Sequence, residues 1–399
     1  MLELITTIIV FVLISYLTLS VWYSMGLACF YFCSKGKQCS GEIDIKKFAI
    51  IIPAHNEELI VGELCKNLKL LNYNREFYDI YFIADNCSDE TAHICSDNDF
   101  KVLERHDDAD KGKGYAIKYA FDNVSLNQYD AVLIIDADTH VDKNILFELS
   151  RALTNGENAI QCYIKIPNKD ETWFTELLSV SRVINGLFYH YPKSLLGLSS
   201  YLMGSGICFS TDLIKKKGWT AFSIAEDWEY YAQLLLDGYR IGFAKNAVVY
   251  QYESRSLGQA TSQRLRWSSG RWKVTKTLGM QLLMAGLKKR SLMLLDASLP
   301  LIFPNYSLQI NLTVVAMALT FLLPSTSLKV FLIVVSICLL AGQLLIFVAG
   351  AFVAGSLWRT TRAALYIPVF LVWKSVIDIL CFTGLYQGKR WVRTRRYQQ

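Results

Sequence analysis

The stretch FAIIIPAHNEE, residues 48–58, decides the fold class of this chain. A short apolar run ends in a proline and passes at once into polar residues, which is typical of a buried strand followed by a loop. A helical pattern then extends to about Leu71. The order of strand, polar loop and helix predicts the first unit of an α/β domain.

Similar units follow along the chain. Apolar runs predict further strands at residues 78–84 and 131–135, a third strand is expected between them at 101–105, and a helix is expected at 115–123. Strands that alternate with helices indicate a mostly parallel sheet with helices on both faces. In such sheets ligands bind beyond the carboxyl ends of the strands. We therefore expect the functional site among the polar residues at those ends, which are Asn56, Glu57, Asp85, Asp136 and Asp138.

The apolar residues concentrate at the two ends of the chain. Of the 399 residues, 52% are apolar and 19% are charged, which excludes a disordered chain, a coiled coil and a small disulfide-stapled fold. Residues 4–32 contain no charged residue or histidine, and this length is sufficient to cross a bilayer as a helix. Lysines follow this run while only Glu3 precedes it, so the positive-inside rule predicts an external N-terminus and a cytosolic domain.

Two more charge-free runs, at 297–328 and 330–358, predict a transmembrane hairpin. The apolar stretch at 363–385 contains Pro368, Lys374 and Asp378, so we expect an interfacial or re-entrant helix, with a fourth span as the alternative. The predicted divisions are a transmembrane helix at 1–33, a cytosolic domain at 34–270, an interfacial amphipathic helix at 271–296, the hairpin at 297–358, and an interfacial or re-entrant helix with a basic cytosolic tail at 359–399.

Asp136 and Asp138 leave the end of one apolar strand, two residues apart. Carboxylates at this spacing suit Mg²⁺ or Mn²⁺, whose coordination is usually completed by substrate phosphates. The same residues also fit an Asx turn, and together with Thr139 they fit the DxDxT loop of aspartyl phosphatases. The segment KGKG at 111–114 suits phosphate oxygens at a helix start, or is an ordinary glycine-containing loop.

Two later motifs favour catalysis. Glu226 and Asp227 precede an amphipathic helix, and QRLRW at 263–267 lies ahead of the predicted hairpin. Arginines in such a segment neutralise a diphosphate, and a tryptophan offers a flat apolar face to a sugar ring. The alternative interpretations are a solvated helix start for the acidic pair and a membrane-anchoring segment for QRLRW.

An ordered set of motifs runs through nearly the whole chain: PAHNE at 53–57, DNCSD at 85–89, KGKG at 111–114, DAD at 136–138, ED at 226–227 and QRLRW at 263–267. This set resembles the membrane-embedded family 2 glycosyltransferases, which include cellulose, chitin, hyaluronan and poly-N-acetylglucosamine synthases and the nodulation chitooligosaccharide synthase. The resemblance implies a GT-A catalytic domain with a Rossmann-like α/β fold. It also implies inverting, metal-dependent transfer of a sugar from a UDP-sugar.

The resemblance assigns roles to particular residues. Asp227 matches the general base, and Asp138 matches the ligand of Mg²⁺ or Mn²⁺. The residues expected to bind the donor nucleotide are Ala54, Glu57, Asp85, Lys111, Lys113, Asp136, Arg264 and Arg266. The residues expected to contact the acceptor or substrate are Gly204, Ser205, Gly206, Glu226, Gln263 and Trp267.

The expected partners are a UDP-sugar, a saccharide or lipid acceptor and membrane lipid, with a homo-oligomer or a separate exporter for translocation and no nucleic acid. Because Gln-x-x-Arg-Trp is associated with repeated addition, we favour a polysaccharide or oligosaccharide synthase at the inner or plasma membrane over a glycolipid synthase. A DxDxT phosphatase and an inactive membrane scaffold are the two other classes, and UDP release would exclude the scaffold.

Overall fold

The computed structural model describes residues 2–34, 43–303, 305–355 and 357–386. One sheet forms its centre, and the strands are β1 (Phe48–Ala54), β2 (Tyr78–Asp85), β3 (Lys101–Arg105), β4 (Ala131–Ile134), β5 (Thr139–Val141), β6 (Ala159–Lys165), β7 (Ile207–Ser210) and β8 (Gly242–Gln251). Their order across the sheet is β3-β2-β1-β4-β7-β6-β8-β5.

The half of the sheet formed by β1–β4 is parallel, as the sequence predicts. Beyond it the sheet is mixed, because β7 runs antiparallel between β4 and β6 while β8 is parallel to β6 and antiparallel to β5. The carboxyl ends of β1, β2 and β4 meet at one edge, where the polar residues singled out in the sequence lie.

Helices cover both faces of this sheet. The first helix of the chain, α1 (Leu2–Cys33), packs against apolar residues between positions 312 and 339. The next nine helices are α2 (Glu58–Leu68), α3 (Thr91–Asp97), α4 (Lys113–Asn123), α5 (Ile145–Thr154), α6 (Trp173–Val183), α7 (Tyr191–Leu195), α8 (Thr211–Lys217), α9 (Glu226–Leu236) and α10 (Leu257–Val274). Successive residues of β1 point to opposite faces: Ile50 packs in one apolar cluster with Leu64, and Ile51 in another with Ala116 and Tyr230. Because both faces of β1 are buried, the strand is apolar along nearly its whole length.

The remaining helices are α11 (Met280–Lys289), α12 (Leu292–Ile302), α13 (Tyr306–Phe321), α14 (Ser327–Val353), α15 (Leu357–Ala364) and α16 (Ile367–Phe382). Helices α1 and α14 are long and apolar enough to cross a membrane. The pairs α12–α13 and α15–α16 are bent by 70° and 68°, and the described part of the chain has up to four spans if each pair counts as one.

The predicted hairpin at 297–358 differs from the structure in its first arm. The chain turns between Ile302 and Tyr306, so two helices replace one. Pro300 lies in the last turn of α12, and Pro304 follows in the sequence, where it supplies no backbone donor for a continuous helix. Lys35, Lys37 and the basic tail at 387–399, on which the predicted orientation draws, lie outside the described residues.

Candidate active site

A cavity of about 520 Å³ lies at the carboxyl ends of β1, β2 and β3, within the size range of small-molecule sites. The loops after β1 and β2 are tied together, since Asn56 Oδ1 accepts a hydrogen bond of 2.8 Å from the Ser88 backbone N–H. The residues that line the cavity are His55, Asn56, Asn86, Cys87, Ser88, His106, Asp107, Asp108 and Lys111.

Asp85, expected to bind the donor, is the last residue of β2 and lies one residue beyond Ala84, the partner of Ala54 at the end of β1. Its Oδ1 pairs with Nη1 of Arg105 at 2.6 Å, and both side chains are only 8% exposed. Arg105 also lies 2.9 Å from Asp107, which lines the cavity. The sequence analysis missed Arg105, although it is the polar end of β3 and carries the same signal as Asp85.

Lys113 joins segments that are far apart in the sequence. Its Nζ lies 2.6 Å from Asp136 Oδ1 and 3.5 Å from Glu226 Oε1, and it donates a 2.7 Å hydrogen bond to the Gly204 carbonyl. Burial disfavours the ammonium, but Asp136 and Glu226 outweigh this cost and raise the pKa of Lys113. The structure thus brings the KGKG, DAD, GSG and ED motifs to one point around a fixed cation.

Lys111 has a different position. Its side chain is 59% exposed, and its Nζ pairs with Asp108 at 2.7 Å on the wall of the cavity. The two lysines of the KGKG motif are therefore separated: Lys113 lies at the centre of the acidic cluster, while Lys111 lies beside the cavity at the ends of β1, β2 and β3.

Asp227 lies in the first turn of α9, where its Oδ1 accepts a 2.8 Å hydrogen bond from the Trp228 backbone N–H. Burial, followed by the charge of Glu226, raises the pKa of Asp227 to about 7, against the opposing effect of Lys113. Burial likewise raises the pKa of Glu226. A carboxyl with a pKa near neutrality is suited to accept a proton at physiological pH.

The GSG segment supports the loop that carries Asp136. The fully buried Ser205 accepts a 3.0 Å hydrogen bond from the Asp136 backbone N–H and donates one of 3.1 Å to Thr139 Oγ1. Gly206 has φ +66°, and a Cβ there would lie 2.9 Å from the Cβ of Cys162, so only glycine fits. Gly204 lies beside the general-base candidate, since a Cβ built on it would be 3.6 Å from Asp227 Oδ2.

Asp136 and Asp138 supply hard oxygen ligands at the end of β4. Both are half-buried, and Asp138 Oδ1 accepts a 3.2 Å hydrogen bond from Thr139 Oγ1. Within the described ranges no group of three or more His, Cys, Asp or Glu side chains is placed to hold a metal by itself. This donor set fits Mg²⁺ or Mn²⁺, which commonly take one or two carboxylates and complete their shell with phosphates and water.

The QRLRW motif lies on α10, and its two arginines face different partners. Arg266 is in the field of the carboxylates of Glu226, Asp136, Asp138 and Asp227. Arg264, expected at the diphosphate, instead pairs with Glu253 at 2.6 Å.

The Arg264 pair is part of a buried cluster. Its guanidinium carbon lies 4.5 Å from the Trp267 ring centroid, and Glu253 also pairs with Arg182 at 3.0 Å. Burial disfavours the carboxylate, but Arg264 and Arg182 lower the pKa of Glu253. Sequence reasoning missed Glu253, which follows the end of β8 as another polar strand end.

Comparison with solved structures and known sequences identifies the fold and the family of this chain. The mannosyltransferase PcManGT from Pyrobaculum calidifontis, solved with GDP-Man and Mn²⁺, superposes with a TM-score of 0.55 at 16% identity, covering 93% of this chain and 99% of that one. At this identity the likeness shows the fold alone, which is the GT-A-like fold of glycosyltransferases. It confirms the predicted fold class. The family described as Glycosyl transferase family group 2 matches residues 131–367, more than half of the chain, and the chain belongs to this family.

Curated relatives fall into more than one functional group. The probable glycosyltransferase YdaM of Bacillus subtilis (strain 168) is 25% identical over 236 residues, 57% of this chain and 56% of that protein. A beta-monoglucosyldiacylglycerol synthase of Trichormus variabilis is 26% identical over 229 residues, 56% of this chain and 48% of that protein. A poly-beta-1,6-N-acetyl-D-glucosamine synthase of Staphylococcus aureus (strain COL) is 25% identical over 271 residues, 63% and 62% respectively. The chain spans about half to three fifths of the length of these relatives.

Proposed function

We propose that the protein transfers a sugar from a UDP-sugar to a growing β-linked polysaccharide or oligosaccharide at the membrane, with inversion at the anomeric carbon. The observation that carries this proposal is the convergence of Asp136, Glu226 and Asp227 around Lys113, within one domain of the glycosyltransferase fold. The approximately 520 Å³ cavity beside Lys111 provides room for the nucleoside of the donor.

The chemistry requires a proton acceptor because a sugar hydroxyl is a weak nucleophile at neutral pH. In the proposal, Asp227 takes the proton from the acceptor hydroxyl as that oxygen attacks the anomeric carbon. Direct attack from the side opposite the leaving group inverts the centre, so an α-linked donor gives a β-linked product. The raised pKa of Asp227, about 7, makes its carboxylate a stronger base than an exposed aspartate.

The leaving diphosphate accumulates negative charge, and positive groups aimed at it lower the barrier. Arg266 faces this region with the carboxylates of the DAD and ED motifs around it. Asp138 would hold Mg²⁺ or Mn²⁺, which supplies Lewis-acid stabilisation of the diphosphate when bound. Lys113 keeps Asp136 and Glu226 in place through its ion pairs. We assign the uridine side of the donor to Ala54, Glu57 and Asp85.

A glycolipid synthase that adds a sugar to a membrane lipid is the second candidate. Two features favour it: one relative is a beta-monoglucosyldiacylglycerol synthase, and the structure offers two to four candidate spans in its described part, which is little material for a translocation pore. The size of the product separates the two functions. A ladder of sugars supports chain synthesis, and a single lipid-soluble product supports the glycolipid synthase.

The experiment is a screen of radiolabelled UDP-sugars with the purified full chain and Mg²⁺ or Mn²⁺, followed by sizing of the product. With the active donor, Asp227→Asn should abolish transfer and leave UDP binding intact, because the amide keeps the shape and loses the basic oxygen. Asp212→Asn is the matched control, since Asp212 also lies in the first turn of a helix but is exposed. Normal turnover by Asp227→Asn would refute the assignment of the base.

A further inference from the structure

Arg271 connects the catalytic helix α10 to the break between α12 and α13. It follows Trp267 by one helical turn. Its Nη2 donates hydrogen bonds to the carbonyls of Pro300 at 2.8 Å and Phe303 at 2.9 Å. One guanidinium nitrogen therefore spans the turn at the carboxyl end of α12.

The hydrogen bonds from Arg271 matter because they satisfy carbonyl groups at the break between α12 and α13. The last carbonyls of a helix have no partner within the helix, and in a membrane-inserted segment water is not available to satisfy them. A cation also favours a helix carboxyl end, where the helix dipole is negative. Tyr16 of α1 satisfies a third carbonyl, that of Ile302, with a 2.8 Å hydrogen bond. The two carbonyls that accept from Arg271, those of Pro300 and Phe303, fix the orientation of its guanidinium, while Tyr16 stabilises the break independently of it.

The same guanidinium faces the proposed active site. Its central carbon lies 5.8 Å from the ring centroid of Trp228, within cation–π distance. The Trp228 indole also stacks on Tyr201, with ring centroids 4.5 Å apart and planes inclined by 24°. Trp228 is the neighbour of Asp227, and its backbone N–H is the hydrogen-bond donor to that carboxylate.

We propose that Arg271 is a positioning residue that holds Trp228, and through it Asp227, in register with the broken helix α12–α13. This inference rests on the proposed function, in which Asp227 accepts the proton of the acceptor. Arg271 is not among the residues that line the cavity beside Lys111, and its contact is with Trp228 next to the proposed base, so we place its effect on the acceptor side of the reaction. The break between α12 and α13 and the geometry of the base are then coupled through the Arg271 side chain.

The test compares four variants of the full chain in nanodiscs, with steady-state transfer and UDP binding measured separately. Arg271→Gln should lower kcat by about ten- to a hundredfold, because small misplacements of catalytic groups cost this much. UDP affinity and the KM for the donor should stay unchanged. Arg271→Lys should recover part of kcat, since lysine keeps the charge but not the planar fork of donors. Lys273→Gln, an exposed position on the same helix, is the control and should behave as wild type.

The variant Tyr16→Phe distinguishes two effects of Arg271: the positioning of Trp228 and Asp227, and the stabilisation of the break between α12 and α13. It removes one hydrogen bond to the break without touching Trp228, so kcat should stay near wild type even if the unfolding temperature falls. The inference is overturned if Arg271→Gln keeps a normal kcat, if Tyr16→Phe loses as much kcat as Arg271→Gln, or if the lysine variant recovers nothing. Should the glutamine variant not fold, the lysine variant and Tyr16→Phe decide the question. A wild-type protein that consumes no UDP-sugar would instead refute the proposed function.

Discussion

At the scale of single residues, the protonation of Asp227 is expected to control the rate. Burial and the neighbouring Glu226 raise the pKa of its carboxyl to about 7, so the group is protonated below this pH and unable to accept a proton. We expect kcat/KM to rise about tenfold per pH unit below pH 7 and to level off above it, as for a single essential base. A pH–rate profile of the full chain at saturating metal measures this dependence.

The same pH–rate profile also tests whether Glu226 contributes to the raised pKa of Asp227. Glu226→Gln removes a nearby negative charge, so the pKa of Asp227 should fall and the inflection of the profile should move to lower pH. An inflection that stays in place or moves to higher pH would show that Glu226 does not act on Asp227 in this way.

Glu253 is a second residue whose loss should be costly. Its carboxylate is 3% exposed and joins two arginines, so Glu253→Gln leaves buried charge uncompensated and should destabilise the fold by about 3 kcal/mol. Glu171→Gln is the matched control, because its pair with Arg255 is partly exposed and should contribute about 0.5 kcal/mol. Thermal unfolding of the purified variants compares the two, and equal shifts would contradict the difference in burial.

At the scale of elements, the contact between α10 and the start of α9 sets the spacing of the QRLRW and ED motifs. A Cβ on Gly270 would lie 2.7 Å from the Cβ of Ala225, so Gly270→Ala must push the two elements apart. We expect kcat to fall, and the clash of about 1–3 kcal/mol to exceed the gain of about 1 kcal/mol in helix propensity.

Gly258→Ala provides the control on the same helix, since a Cβ there meets nothing within 4 Å. This variant should keep its activity and gain slightly in stability from helix propensity. If both alanine variants behaved alike in kinetic assays and thermal unfolding, close packing at Gly270 would not position the motifs.

The elements also show how far the sequence predicts the fold. The strands β1, β2 and β4 were predictable because each is a local apolar run that leads into polar residues, and β3 was predicted within the same α/β order although three of its five residues are charged. The mixed half of the sheet was not predictable, since β6 and β8 contain Gln161, Lys245 and Asn246 and the pairing of these strands depends on distant segments. The break after Ile302 was not predicted from hydropathy, although Pro300 and Pro304 signal it.

The site was also only partly predictable, because local motifs are visible in the sequence and long-range contacts are not. Motif order identified Asp136, Glu226 and Asp227, which the structure brings together. It did not reveal that Arg264 is bound to Glu253, because an ion pair between the region after β8 and α10 has no local pattern in the sequence. The roles of the residues as donor and acceptor ligands stay predictions.

At the scale of the whole molecule, the sheet domain and the helices that are candidate membrane spans pack against each other. The helix α16 contacts α10 through Asp378, which accepts a 2.7 Å hydrogen bond from Ser268 and one of 3.0 Å from Asn305 at the start of α13. The motif-bearing helix α10 is therefore contacted by α16 and, through Asp378, linked to the start of α13, so both bent pairs of helices support it.

The central claim is that distant acidic groups converge on one activated sugar. A structure of the full chain with the active UDP-sugar and Mn²⁺ tests it most directly. We predict the nucleoside in the cavity beside Lys111, the diphosphate between Asp138 and Arg266, and the anomeric carbon facing Asp227. The account is contradicted if the nucleotide binds elsewhere, for example in the separate cavity of about 520 Å³ beside Lys118 and Trp219, with the DAD and ED carboxylates untouched.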